Sequence, residues 1–333
     1  MYLQEIILPL IIAYFVTVAV GPVLIPWLKK LKVGNTEREE LESHQVKNGT
    51  PTMGGLLILA GLTVAVLISI GKYPKVLPVL ILTWGYAVIG FLDDYLKVVL
   101  KRSDGLLSYQ KMLLQIVVTA VFAAYMVFSS GNDLTLLIPF SQYFVAGGYY
   151  LNAGFLTIPL MFFVVIGTAN GVNFTDGLDG LLSTVTLPVS LFFICVSLYK
   201  TEQVALLPAA VIGALLGFLM FNAYPAKIFM GDTGSLALGG YVAGMAYILK
   251  LPLYLPIVGF IYFVEVLSVI IQVSYFKYTK KKYGQGKRIF RMTPIHHHYE
   301  LKGYSETKVV AFFAIVTALL CLVGFAGICG GKL

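Results

Sequence analysis

Long runs of apolar residues, separated by short polar stretches, repeat along the whole chain. A run of about 18 or more apolar residues can cross ~30 Å of hydrocarbon as a helix, and lipid offers no partner to the edge of an open sheet. Ten such spans are predicted, at about 5–28, 54–71, 76–92, 111–130, 154–172, 180–199, 204–222, 235–250, 252–276 and 309–329. The pattern therefore predicts an all-α polytopic membrane bundle in which residues 1–333 form a single integral membrane domain. The first span begins with Glu5 rather than a basic segment and is longer than a signal-peptide core, so it reads as retained. Residues 131–152 make a long connection with alternating stretches and a Gly-Gly-Tyr-Tyr turn, which predicts a short hairpin. Pro252, Pro256 and Gly259 predict a bend in the ninth span.

Composition agrees with this pattern. Hydrophobic residues make up 58% of the chain and charged residues 12%, with a mean hydropathy of +0.86. A soluble domain carries about 25% charged residues, so that class is excluded. Lysine and arginine divide sharply between the connections. One side receives Lys29, Lys30, Lys32, Arg38, Lys47, Lys97, Lys101, Arg102, Lys111, Lys227 and the basic segment from Lys277 to Lys308. The other receives Lys72, Lys75, Lys200, Lys250 and Lys332. The positive-inside rule makes the first side cytoplasmic, and ten spans then place both termini outside. The net charge of +8 follows from this topology and from anionic lipid headgroups, and requires no nucleic acid. Cys195, Cys321 and Cys329 lie in or at the ends of apolar runs without paired spacing, which predicts packing roles.

Polar chemistry collects on one face. Of the aspartates Asp93, Asp94, Asp104, Asp133, Asp176, Asp179 and Asp232, only Asp133 falls outside; His44, His296, His297 and His298 are all on the cytoplasmic side. Because lysine and arginine alone set the topology, this clustering is independent of it and points to a cytoplasmic polar site. In "FLDDYLK", Lys97 lies one helical turn beyond Asp93 and Asp94. The stretch reads either as a solvated helix end with an ion pair or as carboxylates for Mg²⁺ binding or proton abstraction. In "NGVNFTDGLDGL", Asn170, Asn173, Asp176 and Asp179 recur every three residues, along one face of a helical turn, with Gly177 and Gly180 leaving room for a ligand. Capping of the sixth span would account for one of these aspartates, but not for both together with the two asparagines.

Four further stretches carry candidate chemistry. In "NAYPAKIFMGDTGS", Asp232 and Ser235 precede the eighth span as a cap would, while Gly231 and Gly234 relax the backbone; the spacing is not that of a phosphate-binding loop ending in Lys-Ser/Thr. "ESHQVKNGTPTMGG" offers Lys47, Thr50 and Thr52 in a glycine-rich turn. In "GKRIFRMTPIHHHYE", adjacent histidines diverge too far to hold one metal ion together, but imidazoles beside Lys287, Arg288 and Arg291 suit phosphate or sugar oxygens. Within the ninth span, "FVEVLSVIIQ" places Glu265 inside the membrane, where a structural hydrogen bond and a part in chemistry are both open, and ends on Gln272.

Carboxylates, glycine turns and basic donors on one face suit an enzyme acting between a soluble phosphoester and a lipid. A transporter predicts ionisable groups near the midplane and internal repeats; only Glu265 lies deep and no repeat is visible. "GTPTMGG" (49–55), "DDYLK" (93–97), "NFTDGLDGL" (173–181), "FMGDTGS" (229–235) and "PIHHHYE" (294–300) resemble the polyprenyl-phosphate N-acetylhexosamine-1-phosphate transferases. The triple histidine together with "GTPTMGG" is similar to the phospho-N-acetylmuramoyl-pentapeptide transferase branch, over residues from about 34 to 304.

That resemblance implies transfer of phospho-MurNAc-pentapeptide from UDP-MurNAc-pentapeptide to undecaprenyl phosphate, giving lipid I and UMP, at a bacterial plasma membrane. The sister branch would use UDP-GlcNAc. The resemblance also implies Mg²⁺ and a homodimer. It makes Asp232 the Mg²⁺ ligand, with Asp93 and Asp176 as further candidates, and Asp93 the base, with Asp94 and Lys97 alongside. It places Asp176 and Asp179 by the nucleotide, Asn173 and Asn222 near the uridine or phosphates, Phe229 on the uracil, and His296 and His297 on the diphosphate or sugar. Lys47, Thr52, Lys111, Asn170, Gly231, Gln272 and His298 complete the candidate substrate-binding set, with Lys47, Lys97 and Lys111 offsetting repulsion between two anions.

Overall fold

A computed structural model describes residues 3–30, 49–100, 105–129 and 134–330. Ten long helices account for the apolar runs: α1 (Gln4–Lys30), α2 (Gly55–Leu67), α3 (Leu77–Val98), α4 (Ser108–Ser129), α5 (Thr157–Thr175), α6 (Leu181–Tyr199), α7 (Leu206–Asn222), α8 (Gly231–Ile248), α10 (Phe260–Tyr283) and α12 (Glu306–Cys329). Two short helices, α9 (Leu255–Val258) and α11 (Ile295–Glu300), lie between them. Among the described residues, seven segments are long and apolar enough to cross a membrane, and α2 and α7 are shorter apolar helices. The chain is thus an all-α polytopic membrane protein.

The expected hairpin is present in miniature: Leu136–Leu137 (β1) pairs antiparallel with Tyr150–Leu151 (β2). The expected bend is a full interruption. Helix α9 ends at Gly259, whose N–H bonds the Leu255 carbonyl, and α10 starts afresh.

Helix α8 is the hub of the bundle, packed against α3, α5, α2 and α6. Its residues from Thr233 to Tyr247 are all buried. Lipid chains are as apolar as side chains, so helices in a bilayer associate through close packing, which small residues permit. A methyl group at Gly239 would come 2.5 Å from the Ala169 Cα, and one at Gly90 of α3 would come 2.0 Å from the Asp232 carbonyl oxygen. The glycines that lower the hydropathy of α8 are the ones that let it sit at the centre. The same close approach brings the C-terminal ends of α3 and α5 and the N-terminal end of α8, with their polar residues, against one another.

Candidate active site

Adjacent residues on a helix point about 100° apart, so Asp93 and Asp94 of α3 serve different neighbours. Asp94 is 5% exposed and turns toward the start of α8. Its Oδ1 accepts the Asp232 N–H (3.1 Å), and its Oδ2 accepts the Thr233 N–H (2.9 Å) and hydroxyl (2.6 Å). These N–H groups have no partner inside their own helix and sit at its positive end, so a carboxylate there is held strongly. The cap of α8 thus comes from α3 and not from Asp232 or Ser235; Ser235 donates its hydroxyl back to the Gly231 carbonyl (3.0 Å).

Asp93 turns instead toward the Asp232 carboxylate and the lysines beside it. Its Oδ1 accepts the Leu106 N–H (2.7 Å), and its Oδ2 pairs with Lys97 Nζ (2.6 Å), with Lys111 Nζ at 3.9 Å. Gly105 makes this possible: its φ of +57° suits glycine, and a Cβ there would stand 2.6 Å from Asp93 Oδ1. Freed from capping, the Asp232 carboxylate lies among donors. Oδ2 pairs with Lys111 Nζ at 2.7 Å and Lys97 Nζ at 3.5 Å, and Oδ1 accepts from Asn173 Nδ2 at 2.9 Å. Asn173 also reaches Ser235 Oγ (2.8 Å).

The turn after α5 contributes unequally. Asn170 exchanges hydrogen bonds with Gln115, a buried glutamine of α4 that no sequence motif singled out. Half-buried Asp176 has its pKa pushed up to about 8, first by burial and then by the Asp232 and Asp94 carboxylates, with the Gly231 N–H opposing. Asp179 points elsewhere: its Oδ2 accepts the Ala226 N–H (2.8 Å), while its own N–H donates to Glu306 (2.6 Å). Asn222 accepts the Gly180 N–H (3.1 Å) and donates to the Ile228 carbonyl (2.9 Å). Asp179 and Asn222 therefore tie this turn to the loop before α8. Neither Asp176 nor Asp179 caps α6, which begins after Gly180 without a side-chain cap.

Two glycine-rich motifs far apart in sequence meet across this floor. Gly54 and Gly55 donate their N–H groups to the Phe229 and Met230 carbonyls (2.8 Å each), and Phe229 donates to the Pro51 carbonyl (2.8 Å). Thr52 Oγ1 lies beside Gly231, where a Cβ would come within 2.7 Å of it. The Phe229 ring stays half-buried above this pairing. Lys47 lies outside the described residues.

The histidine stretch forms α11, and its three rings take three different partners. His296 Nδ1 meets Glu265 Oε1 (3.0 Å), His297 Nδ1 meets Glu300 Oε2 (2.8 Å), and His298 Nδ1 accepts the Arg291 N–H (3.1 Å). Burial, Lys302 and Arg291 hold the His298 pKa below the usual imidazole value. Gln272 is turned to the preceding basic loop: Oε1 accepts the Ile289 and Phe290 N–H groups (3.0 and 3.1 Å), and Nε2 donates to the Phe290 carbonyl (3.1 Å).

The set Asp93, Asp94, Asp176 and Asp232 brings four carboxylates against two ammonium groups, Lys97 and Lys111. The raised pKa of Asp176 comes first from burial and then from this excess of negative charge. Among the described residues, no three His, Cys, Asp or Glu side chains are arranged as a ready metal cage. Hard oxygen donors with surplus negative charge and no closed cage fit Mg²⁺, which binds through one or two carboxylates and completes its shell with water and substrate phosphate.

Comparison with known proteins places the chain in a family. Residues 76–250 match the model of glycosyl transferase family 4, and residues 47–59 match a phospho-N-acetylmuramoyl-pentapeptide-transferase signature. Proteins named phospho-N-acetylmuramoyl-pentapeptide-transferase align over nearly the whole chain. The one from Acetivibrio thermocellus is 47% identical, covering 95% of this chain and 93% of its own. That of Clostridium botulinum is 48% identical over 95% and 94%, and that of Bacillus subtilis 43% over 96% and 97%. With identities of 43–48% over nearly the full length of both chains, and the signature at residues 47–59, the chain belongs to the phospho-N-acetylmuramoyl-pentapeptide-transferase family.

Proposed function

We propose that this protein transfers phospho-MurNAc-pentapeptide from UDP-MurNAc-pentapeptide to undecaprenyl phosphate, giving lipid I and UMP. The observation that carries the reading is the Asp232 carboxylate, held between Lys97, Lys111 and Asn173 and sharing both lysines with Asp93, in a chain similar over its length to transferases of that name. The enzyme crosses a bacterial plasma membrane ten times, with both termini outside and the site on the cytoplasmic face. The lysine and arginine asymmetry supports this topology. A homodimer is the proposed assembly.

The reaction joins two anions, so positioning and charge compensation are what the protein must supply. Lys97 and Lys111 lower the repulsion between the lipid phosphate and the sugar diphosphate. Asp93 takes the remaining proton of the lipid phosphate. The freed phosphate oxygen then forms a bond to the sugar-linked phosphorus, the bond to the UMP oxygen breaks, and UMP leaves with that electron pair. A phosphomonoester already carries enough charge to attack, which favours this single displacement over an aspartyl-phosphate. Asp232 would hold Mg²⁺, with Asp93 and Asp176 next to it; the ion supplies charge neutralisation on the diphosphate and a better leaving group.

Product analysis tests the reading. Purified protein with undecaprenyl phosphate and Mg²⁺ should release UMP with UDP-MurNAc-pentapeptide. Release with UDP-GlcNAc only would move the protein to the sister branch, and release with neither would overturn the enzyme assignment.

A further inference from the structure

Glu265 is fully buried in α10, and His296 of α11 is 1% exposed against it. Their Oε1 and Nδ1 atoms are 3.0 Å apart. Among the described residues this imidazole is the hydrogen-bond partner of the Glu265 carboxylate, whose Oε2 is buried without one. An unpartnered carboxylate inside a membrane bundle is costly, so the pair is held firmly in place. Carboxylate acceptance of one ring N–H is also how proteins fix an imidazole's tautomer and orientation.

What the ring does once fixed is decided by its other edge. His296 Nε2 is buried and has no hydrogen-bond partner. It abuts Gly177, where an added Cβ would lie 2.0 Å from Nε2 and 2.3 Å from Cε1. Gly177 follows Asp176, whose carboxylate lies within the electrostatic reach of Asp232 and Asp94. Neither nitrogen of this ring is open to solvent.

We infer that Glu265 and His296 are positioning residues: Glu265 locks the His296 ring, and the ring edge sets the height of the Asp176–Gly177 turn relative to Asp232. The inference rests on the reading that this turn meets the nucleotide donor. A ring that tilts lets the turn sink or lift, and the donor side of the site loses its geometry while the acceptor side, built on Asp93 and Lys97, does not.

Steady-state kinetics on detergent-solubilised full-length protein tests this. Glu265→Leu should raise KM for UDP-MurNAc-pentapeptide about tenfold while changing KM for undecaprenyl phosphate less than about twofold. Glu265→Gln, which keeps an acceptor for the Nδ1–H, should stay close to the parent. Gly177→Ala, at a position without positive φ, should reproduce the Glu265→Leu pattern by pushing the ring aside. Combining Gly177→Ala with Glu265→Leu should give much less than the product of the two effects, since both act on one contact. Equal rises in both KM values, multiplicative effects in the double variant, or lowered melting temperature with unchanged donor KM would each overturn the inference. If Glu265→Leu does not purify, Gly177→Ala alone decides on the same KM split. Failure of the functional reading is distinguishable, because the parent protein would then release no UMP at all.

Discussion

The carboxylate of Asp94 caps the helix that begins with Asp232: it takes both the N–H and the hydroxyl of Thr233, at 2.9 and 2.6 Å, and the Asp232 N–H at 3.1 Å. Of two neighbouring aspartates in one motif, one therefore builds the site and the other, Asp93, faces its cations. Replacing Asp94 by alanine removes a buried, charge-assisted cap, which costs about 2–3 kcal/mol. Melting of the purified protein should fall clearly in Asp94→Ala and less in Asp94→Asn, whose amide oxygen still accepts. Unchanged melting in both would mean the cap is not important to the fold.

Asp232 has the opposite character, since its carboxylate supports no helix. Asp232→Asn should insert and purify normally, yet lose turnover by about a hundred- to a thousandfold, the scale for removing one preorganised electrostatic group. Near-normal UMP release would refute the Mg²⁺ assignment at this residue.

Asp93 as the base has a signature in pH. A phosphomonoester loses its second proton near pH ~6, so the base matters most below that value. The rate deficit of Asp93→Asn relative to the parent should be largest in acid and shrink above neutrality. A deficit uniform across pH would assign Asp93 to binding.

Close packing of α3 on α8 can be read from two glycines. Gly90→Ala would drive a methyl into the Asp232 carbonyl, 2.0 Å away, whereas a methyl at Gly167 meets nothing within 4 Å. Overpacking of this kind costs about 1–3 kcal/mol. Gly90→Ala should lower both melting temperature and turnover, and Gly167→Ala should leave both unchanged; similar behaviour of the two would argue against this packing.

His298 ties α11 to the basic loop by accepting the Arg291 N–H, which requires an unprotonated Nδ1. Its pKa is lowered in the folded state, by burial, Lys302 and Arg291, so below the unfolded imidazole value of about 6.5 the unfolded chain binds more protons. Its stabilising contribution is complete above that pH and is lost as pH falls through 6.5 toward the lower folded value. His298→Asn keeps an acceptor in place of Nδ1 but does not titrate. Between pH 7 and 5 the parent should lose melting temperature relative to this variant, by about 1 °C; a constant difference would remove His298 from the pH response.

Chain-wide apolar periodicity determined the all-α membrane class and the positions of the apolar helices, because lipid allows few backbone solutions and each leaves a long signature; that the bend expected from Pro252, Pro256 and Gly259 is a full interruption came only with the structure. Motif residues also named most of the site: Asp93, Lys97, Asn173 and Asp232 converge as expected, joined by Lys111. Tertiary structure alone decided which member of each pair does what. Asp94 caps a helix distant in sequence, Asp179 and Asn222 brace a turn, Gln272 holds a loop, and Glu265 finds His296 across the bundle. Gln115 and Glu306 act in the site's framework without any local signal. The reason is physical: hydrophobic period is a property of one segment, whereas a carboxylate's role depends on which donors other segments bring within 3 Å of it.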